Sequence, residues 1–244
     1  MSLAPPEGDG PLRRERLRTA RLYFVCEAQP GGESPERLLR AALGGGVDIV
    51  QLRDKQLSRG EIERAAATFR RICDTYSALF IVNDDPELAR ACDADGVHVG
   101  QDDASVAAAR ELLGADAIIG ISTHSEEQIA AANELPVDYM SVGPVWETPT
   151  KAGRPAVGLE LVSHAAERAA HPFFGIGGVD PSNAEQVVRA GARRLCAVRA
   201  IRDAADPEAA AAALRSAFGA GEEAGGGTQD VLLDRPWRGV APGG

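Results

Sequence analysis

The chain has 244 residues, 44% of them hydrophobic and 25% charged, with a formal net charge of −10; that suits one soluble domain whose core needs neither a disulfide nor a structural metal. No run of about 18 apolar residues reads as a membrane span, and the early arginines (Arg13, Arg14, Arg16, Arg18) follow no apolar segment of the kind a secretory leader needs. Residues 1–21 carry a net +2 and residues 219–244 a net −2, so the middle holds the whole −10; such a body repels nucleic-acid backbones and leaves any phosphorylated ligand to local cations or a metal.

Residues 1–20 begin rich in proline and glycine and read as a flexible extension, with a short basic helical turn over 13–20. From residue 21 a rhythm sets in, with short β-branched runs alternating with Ala-, Leu- and Arg-rich stretches of helical period. The strand candidates are 21–26, 47–52, 78–82, 95–99, 117–122, 138–142, 172–176 and 194–198. The helix candidates are 34–44, 58–76, 86–92, 104–113, 125–134, 158–169, 181–190 and 206–218. Ser58, Asp85-Pro86, Asp180-Pro181 and Asp206-Pro207 are helix-opening signals. Eight βα units predict a closed (β/α)8 TIM barrel over 21–218, an α/β fold, with an open doubly wound sheet as the alternative. Residues 219–244 read as a flexible tail, docked if at all by Trp237. The four cysteines lack CxxC spacing and read as reduced, mostly buried thiols of a cytoplasmic protein.

Barrels place their chemistry at the C-terminal ends of the strands, and the unusual residues fall there. Gln51, Arg53 and Lys55 alternate after strand 2, so all three can point one way; a solvated charge cluster is the less favoured alternative for the segment alone. Asn83 and Asp84 end strand 3, and Asp102 and Asp103 follow strand 4; taken singly these acids can each be read as a helix cap, and Asp85 is read as one. Acids from adjacent strands facing one mouth suit Mg²⁺, a hard cation. Ser122 ends strand 5, and Thr148, Thr150 and Lys151 follow strand 6. Gly177 and Gly178 after strand 7, with Val198 and Arg199 after strand 8, occupy the loops that commonly bind phosphate in barrels. Of 26 basic residues only Lys55 and Lys151 are lysine; either the genome favours arginine, or a compact ammonium is needed at these two places. His98 reads as a core or lining residue, and no histidine pair has metal-ligand spacing. Two anionic subsites, one metal and two lysines without a nucleophile fit departure of pyrophosphate from an activated carbon, or another chemistry of phosphate ligands.

The ordered series QLRDK, VNDD, GVHVGQDD, GISTHS, VGPVWETPTKAG and GIGGVDPSNA resembles the thiamine-phosphate synthase family over about residues 21–218. The resemblance implies a Mg²⁺-dependent transferase. It would join 4-amino-5-hydroxymethyl-2-methylpyrimidine diphosphate to 4-methyl-5-(2-phosphooxyethyl)thiazole, with pyrophosphate leaving before the thiazole nitrogen attacks. It also implies that Asp84 and Asp103 hold the metal. Gln51, Arg53, Lys55 and Asn83 would contact the pyrimidine diphosphate, and Ser122 and Lys151 the leaving pyrophosphate. Thr148, Thr150, Gly177 and the backbone near Val198 would serve the thiazole phosphate. Arg199 departs from the serine usual at its position, so the serine's role does not transfer. The alternatives are a thiazole tautomerase on the same barrel and a non-catalytic thiazole-phosphate sensor; small-molecule partners are expected, with no nucleic acid, no membrane and the oligomeric state open. A loop over 144–156 that closes on the site would keep water from the reaction.

Overall fold

The computed structural model describes residues 8–148 and 155–224. Eight parallel strands close in sequence order into a TIM barrel: β1 (Leu22–Cys26), β2 (Ile49–Leu52), β3 (Leu79–Asn83), β4 (Gly96–Val99), β5 (Ile118–Thr123), β6 (Tyr139–Val142), β7 (Phe173–Ile176) and β8 (Leu195–Ala197), with β8 paired back onto β1. Helices α2 (Glu36–Gly44), α3 (Arg59–Tyr76), α4 (Pro86–Ala91), α5 (Val106–Leu113), α6 (Glu126–Asn133), α7 (Gly158–Arg168), α8 (Ala184–Arg189) and α10 (Pro207–Ala224) follow the strands; α9 (Arg199–Arg202) is a single turn after β8.

Strand pleating sorts the side chains. Val50, Leu52, Phe80, Val82, Val97, Ile119, Met140 and Leu195 face the helices in the outer core, whereas Ile49, Leu79, Ile81, Ile118, Tyr139, Phe174 and Cys196 fill the barrel interior. The same period-2 alternation that buries Ile49 inward carries Gln51 inward one step nearer the C-terminal mouth. Polar residues at this parity (Gln51, His98, Ser122, Ser141) are buried all the same. Helix starts follow the sequence signals: Ser58 and Glu61 form a capping box, and the carboxylate of Asp85 accepts from Leu88 N–H at 2.8 Å.

The opposite mouth is closed by a helix where a flexible extension over 1–20 is expected. Helix α1 (Gly10–Thr19) lies against the N-terminal ends of the strands, and Leu17, fully buried, plugs the interior cluster. Arginines anchor it. Arg13 pairs with Asp95 at 2.9 Å and Arg14 with Asp138 at 3.2 Å. Asp48, Asp95 and Asp138 each stand one residue before an even-numbered strand. Each accepts an N–H from the start of the preceding strand: Leu22 at 3.0 Å, Phe80 at 2.8 Å and Ile119 at 2.7 Å. Each is also paired with arginine, namely Arg215, Arg70 and Arg110 respectively. At the fourth such position the chain has Arg194 instead. Burial, and then the nearby Arg21, Arg193 and Arg18, pull its guanidinium down to about 10. At the other end, α10 runs beyond residue 218 to Ala224, six residues into the segment expected to be a flexible tail; the rest of that segment, with Trp237, lies outside the described residues. The four cysteines form no disulfide and three of them are buried, and no helix among the described residues is long and apolar enough to cross a membrane.

Candidate active site

The C-terminal mouth opens on a cavity of about 500 Å³ lined by residues from every strand end. Of the residues singled out in the sequence, Gln51, Arg53, Lys55, Asn83, Asp84, Asp103, Ser122, Thr148, Gly177, Gly178, Val198 and Arg199 all line it. Thr150 and Lys151 lie outside the described residues, as does much of the loop over 144–156.

One side of the mouth concentrates charge. Asp84 sits directly after β3 with φ of 62°, in the left-handed region where a side chain is strained. Its N–H holds that conformation by donating to the carbonyl of His98 on the next strand at 2.8 Å. The Lys55 ammonium donates to Asp84 Oδ2. Asp103 accepts from the N–H of Gly100 at 2.9 Å, and with Asp84 it lines the cavity. Helix α5 is capped by Ser105, not by Asp103, so the acid is spared for the cavity. Burial opposes ionisation of Asp84, but hydrogen bonds from Lys55 and Asp103 outweigh it and hold its carboxyl below the ordinary carboxylate value. Burial and the hydrogen bond to Asp84 push Asp103 upward. Two carboxyls lining one cavity from adjacent strand tips form an oxygen donor set for a hard cation. Asp84 and Asp103 therefore fit Mg²⁺. Among the described residues no group of three or more Asp, Glu, His or Cys side chains could hold a metal, so a cation here would take its remaining oxygens from water and a phosphorylated ligand.

The far side is built from backbone. Gly177 and Gly178 have φ of 99° and 68°, which glycine alone adopts freely. A Cβ on Gly177 would come within 2.4 Å of Pro144 Cα. The loops after β6 and β7 are tied together by Val145 N–H to the carbonyl of Ile176 at 2.8 Å and Trp146 N–H to that of Gly177 at 3.0 Å. This bare turn and the strand-8 tip with Arg199 form a concave polar wall opposite the carboxyls, suited to a second anion.

The floor is a buried polar chain. Gln51 Nε2 donates to Tyr23 OH at 2.7 Å, Tyr23 OH lies 2.9 Å from Tyr139 OH, and Tyr139 OH lies 3.1 Å from His98 Nδ1. His98 Nε2 lies 2.9 Å from Ser122 Oγ, and Ser141 Oγ is 3.4 Å from both. Tyr23, Tyr139 and Ser141 were not identifiable as site residues, because a tyrosine or serine inside a strand reads as ordinary packing. Their signal is parity: each lies an even number of residues from an inward-facing neighbour, as Tyr139 and Ser141 do from each other. His98 shows the same parity with Gly96 and Gly100.

A sequence profile described as thiamine monophosphate synthase matches residues 22–201. A thiamine-phosphate synthase of Saccharopolyspora erythraea is 47% identical over 222 residues, covering 88% of this chain and 100% of the relative. One from Thermobifida fusca is 49% identical over 204 residues, covering 83% and 94%. Among solved structures, a thiamine phosphate pyrophosphorylase from Pyrococcus furiosus superposes with a TM-score of 0.77 at 30% identity, covering 84% of this chain and 99% of its own.

Proposed function

The chain belongs to the thiamine monophosphate synthase family, and from that premise we propose that its cavity joins 4-amino-5-hydroxymethyl-2-methylpyrimidine diphosphate to 4-methyl-5-(2-phosphooxyethyl)thiazole, releasing pyrophosphate and thiamine phosphate. The observation that carries the reading is the charge layout of one cavity. Paired carboxyls and the Lys55 ammonium stand on one side, with the glycine turn and Arg199 on the other. That layout suits two phosphorylated ligands whose organic parts meet between them.

The bond that breaks joins the pyrimidine's methylene carbon to the diphosphate oxygen, and its electron pair goes to the leaving pyrophosphate. Charge on the leaving oxygens therefore grows through the transition state, so cations fixed beside them favour the transition state over the ground state. Arg53 and Lys55 stand at that side of the cavity; by the family resemblance Lys151 joins them. Asp84 and Asp103 would hold Mg²⁺, which when bound would supply positive charge to the diphosphate. Gln51 offers its amide to the pyrimidine, and Asn83 and Ser122 offer polar contacts to the diphosphate. Gly177, Gly178 and the strand-8 tip hold the thiazole phosphate, with Thr148 and Thr150 beside it, so that the thiazole nitrogen faces the methylene carbon. Its lone pair forms the new C–N bond, in a dissociative order in which pyrophosphate leaves first. A tautomerase or a phosphate sensor would not need the carboxyl pair and Lys55 together.

Incubation with both substrates and Mg²⁺, followed by mass detection, tests this: thiamine phosphate and pyrophosphate are expected in equal amounts. A thiazole isomerised without coupling would instead point to the tautomerase.

A further inference from the structure

The polar chain on the cavity floor admits a proton arrangement in which every donor along it meets an acceptor within the chain or the cavity. Gln51 Nε2 can only donate, so Tyr23 OH accepts from it. The Tyr23 proton then has an acceptor in Tyr139 OH at 2.9 Å. Tyr139 OH, having received that proton, passes its own to His98 Nδ1 at 3.1 Å. A ring that accepts at Nδ1 carries its proton on Nε2, where it donates to Ser122 Oγ at 2.9 Å. Ser141 Oγ–H approaches the same oxygen at 3.4 Å. With its lone pairs engaged from behind, Ser122 Oγ has its proton left for the cavity it lines. All six side chains are buried, where an unmet donor is expensive and a paired one correspondingly favoured.

We propose that Tyr139, which does not line the cavity, is a positioning residue: it fixes neutral His98 with the proton on Nε2 and so commits Ser122 Oγ–H as an outward donor to an anion. That the anion is the leaving diphosphate rests on the functional reading above; the place of the proton does not. Without the Tyr139 hydroxyl, His98 can carry its proton on Nδ1. Its bare Nε2 then claims the Ser122 proton, and the cavity loses a fixed donor.

Two measurements test this. In ¹⁵N-histidine-labelled wild-type protein, with His98 assigned by comparison with His98→Asn, the Nε2–H tautomer is expected, with an unprotonated Nδ1. An Nδ1–H tautomer or a doubly protonated ring at neutral pH would overturn the proposal, and the experiment needs no turnover, so it stands apart from the fate of the proposed reaction. In steady-state kinetics, Ser122→Ala is expected to lower kcat by ~10²-fold and Tyr139→Phe by about tenfold or more, with KM for the thiazole phosphate unchanged. The double variant is then no slower than Ser122→Ala alone. Multiplying losses in the double variant would show that Tyr139 acts by another route. Should Tyr139→Phe fail to fold, the wild-type spectrum still decides.

Discussion

Asp103 and Asp84 illustrate how much a residue's chemistry depends on its neighbour. Asp103 is held above the ordinary carboxylate value by burial and by Asp84, so a proton competes with a cation for the pair. Divalent-ion affinity should therefore rise with pH through the acid range and level off once both carboxyls are ionised. Calorimetric titration with Mg²⁺ or Mn²⁺ at several pH values checks this, and a flat profile would count against the pair as ligands. Lys151 follows a different argument: a planar guanidinium cannot take the place of a compact ammonium beside clustered oxygens. Lys151→Arg should slow pyrophosphate release by about tenfold or more, and wild-type kinetics would remove the case for a selected lysine. At this scale the sequence was legible where a residue type was out of keeping with its surroundings. Two lysines amid arginines, acids at adjacent strand tips and a Gly-Gly turn were visible. His98 remained ambiguous between packing and lining, and Tyr139 was invisible. Their roles come from partners brought together across 41 residues of sequence, which no local pattern encodes.

Among the elements, α1 was anticipated only as a short basic turn over 13–20 within a flexible extension. Its ten residues contain only two leucines among arginines and polar groups, so no apolar stripe announces a helix. What holds it is tertiary: Leu17 in the barrel interior, and Arg13 and Arg14 on buried aspartates. Leu17→Ala should therefore cost about 2–5 kcal/mol, as for other fully buried leucines, read as a shifted denaturant midpoint; an effect below about 0.5 kcal/mol would mean that the plug is dispensable. Arg194 stands where Asp48, Asp95 and Asp138 set the pattern, and its Nε is buried without a partner. Replacing a poorly compensated buried cation by an apolar chain is often neutral or stabilising. Among the described residues its Nη2 donates only to the Arg18 carbonyl at 2.9 Å, so Arg194→Met should leave the Tm unchanged or raise it by about 2–4 °C, and a marked fall would show that this hydrogen bond outweighs the cost of burying the charge. By contrast, all eight strands were readable to within about two residues, because a parallel barrel buries both faces of each strand and yields short β-branched runs. α9 was missed because one helical turn has no period to detect.

The whole molecule divides its labour between its two mouths. At the N-terminal one, aspartates, arginines and α1 seal the interior; at the C-terminal one, eight strand tips converge on the cavity. The net charge of −10 makes this division necessary. An acidic body attracts no phosphorylated ligand over its surface at large, so on the proposed reading binding is local, through Arg53, Lys55, the glycine turn and a cation that Asp84 and Asp103 would hold. The architecture was legible from the repeat of βα units, and with it the mouth at which to look. The depth of the polar floor was not, because it depends on how far apart successive layers of inward side chains sit once the barrel closes.

Mass detection of thiamine phosphate, formed from the two substrates by wild-type protein and by Asp84→Ala and Asp103→Ala, tests the central claim most directly. The wild type should form product only with a divalent ion present, and each variant should fold normally by circular dichroism yet lose at least ~10²-fold in rate. Full, metal-responsive turnover in either variant would contradict the carboxyl pair as the centre of the reaction.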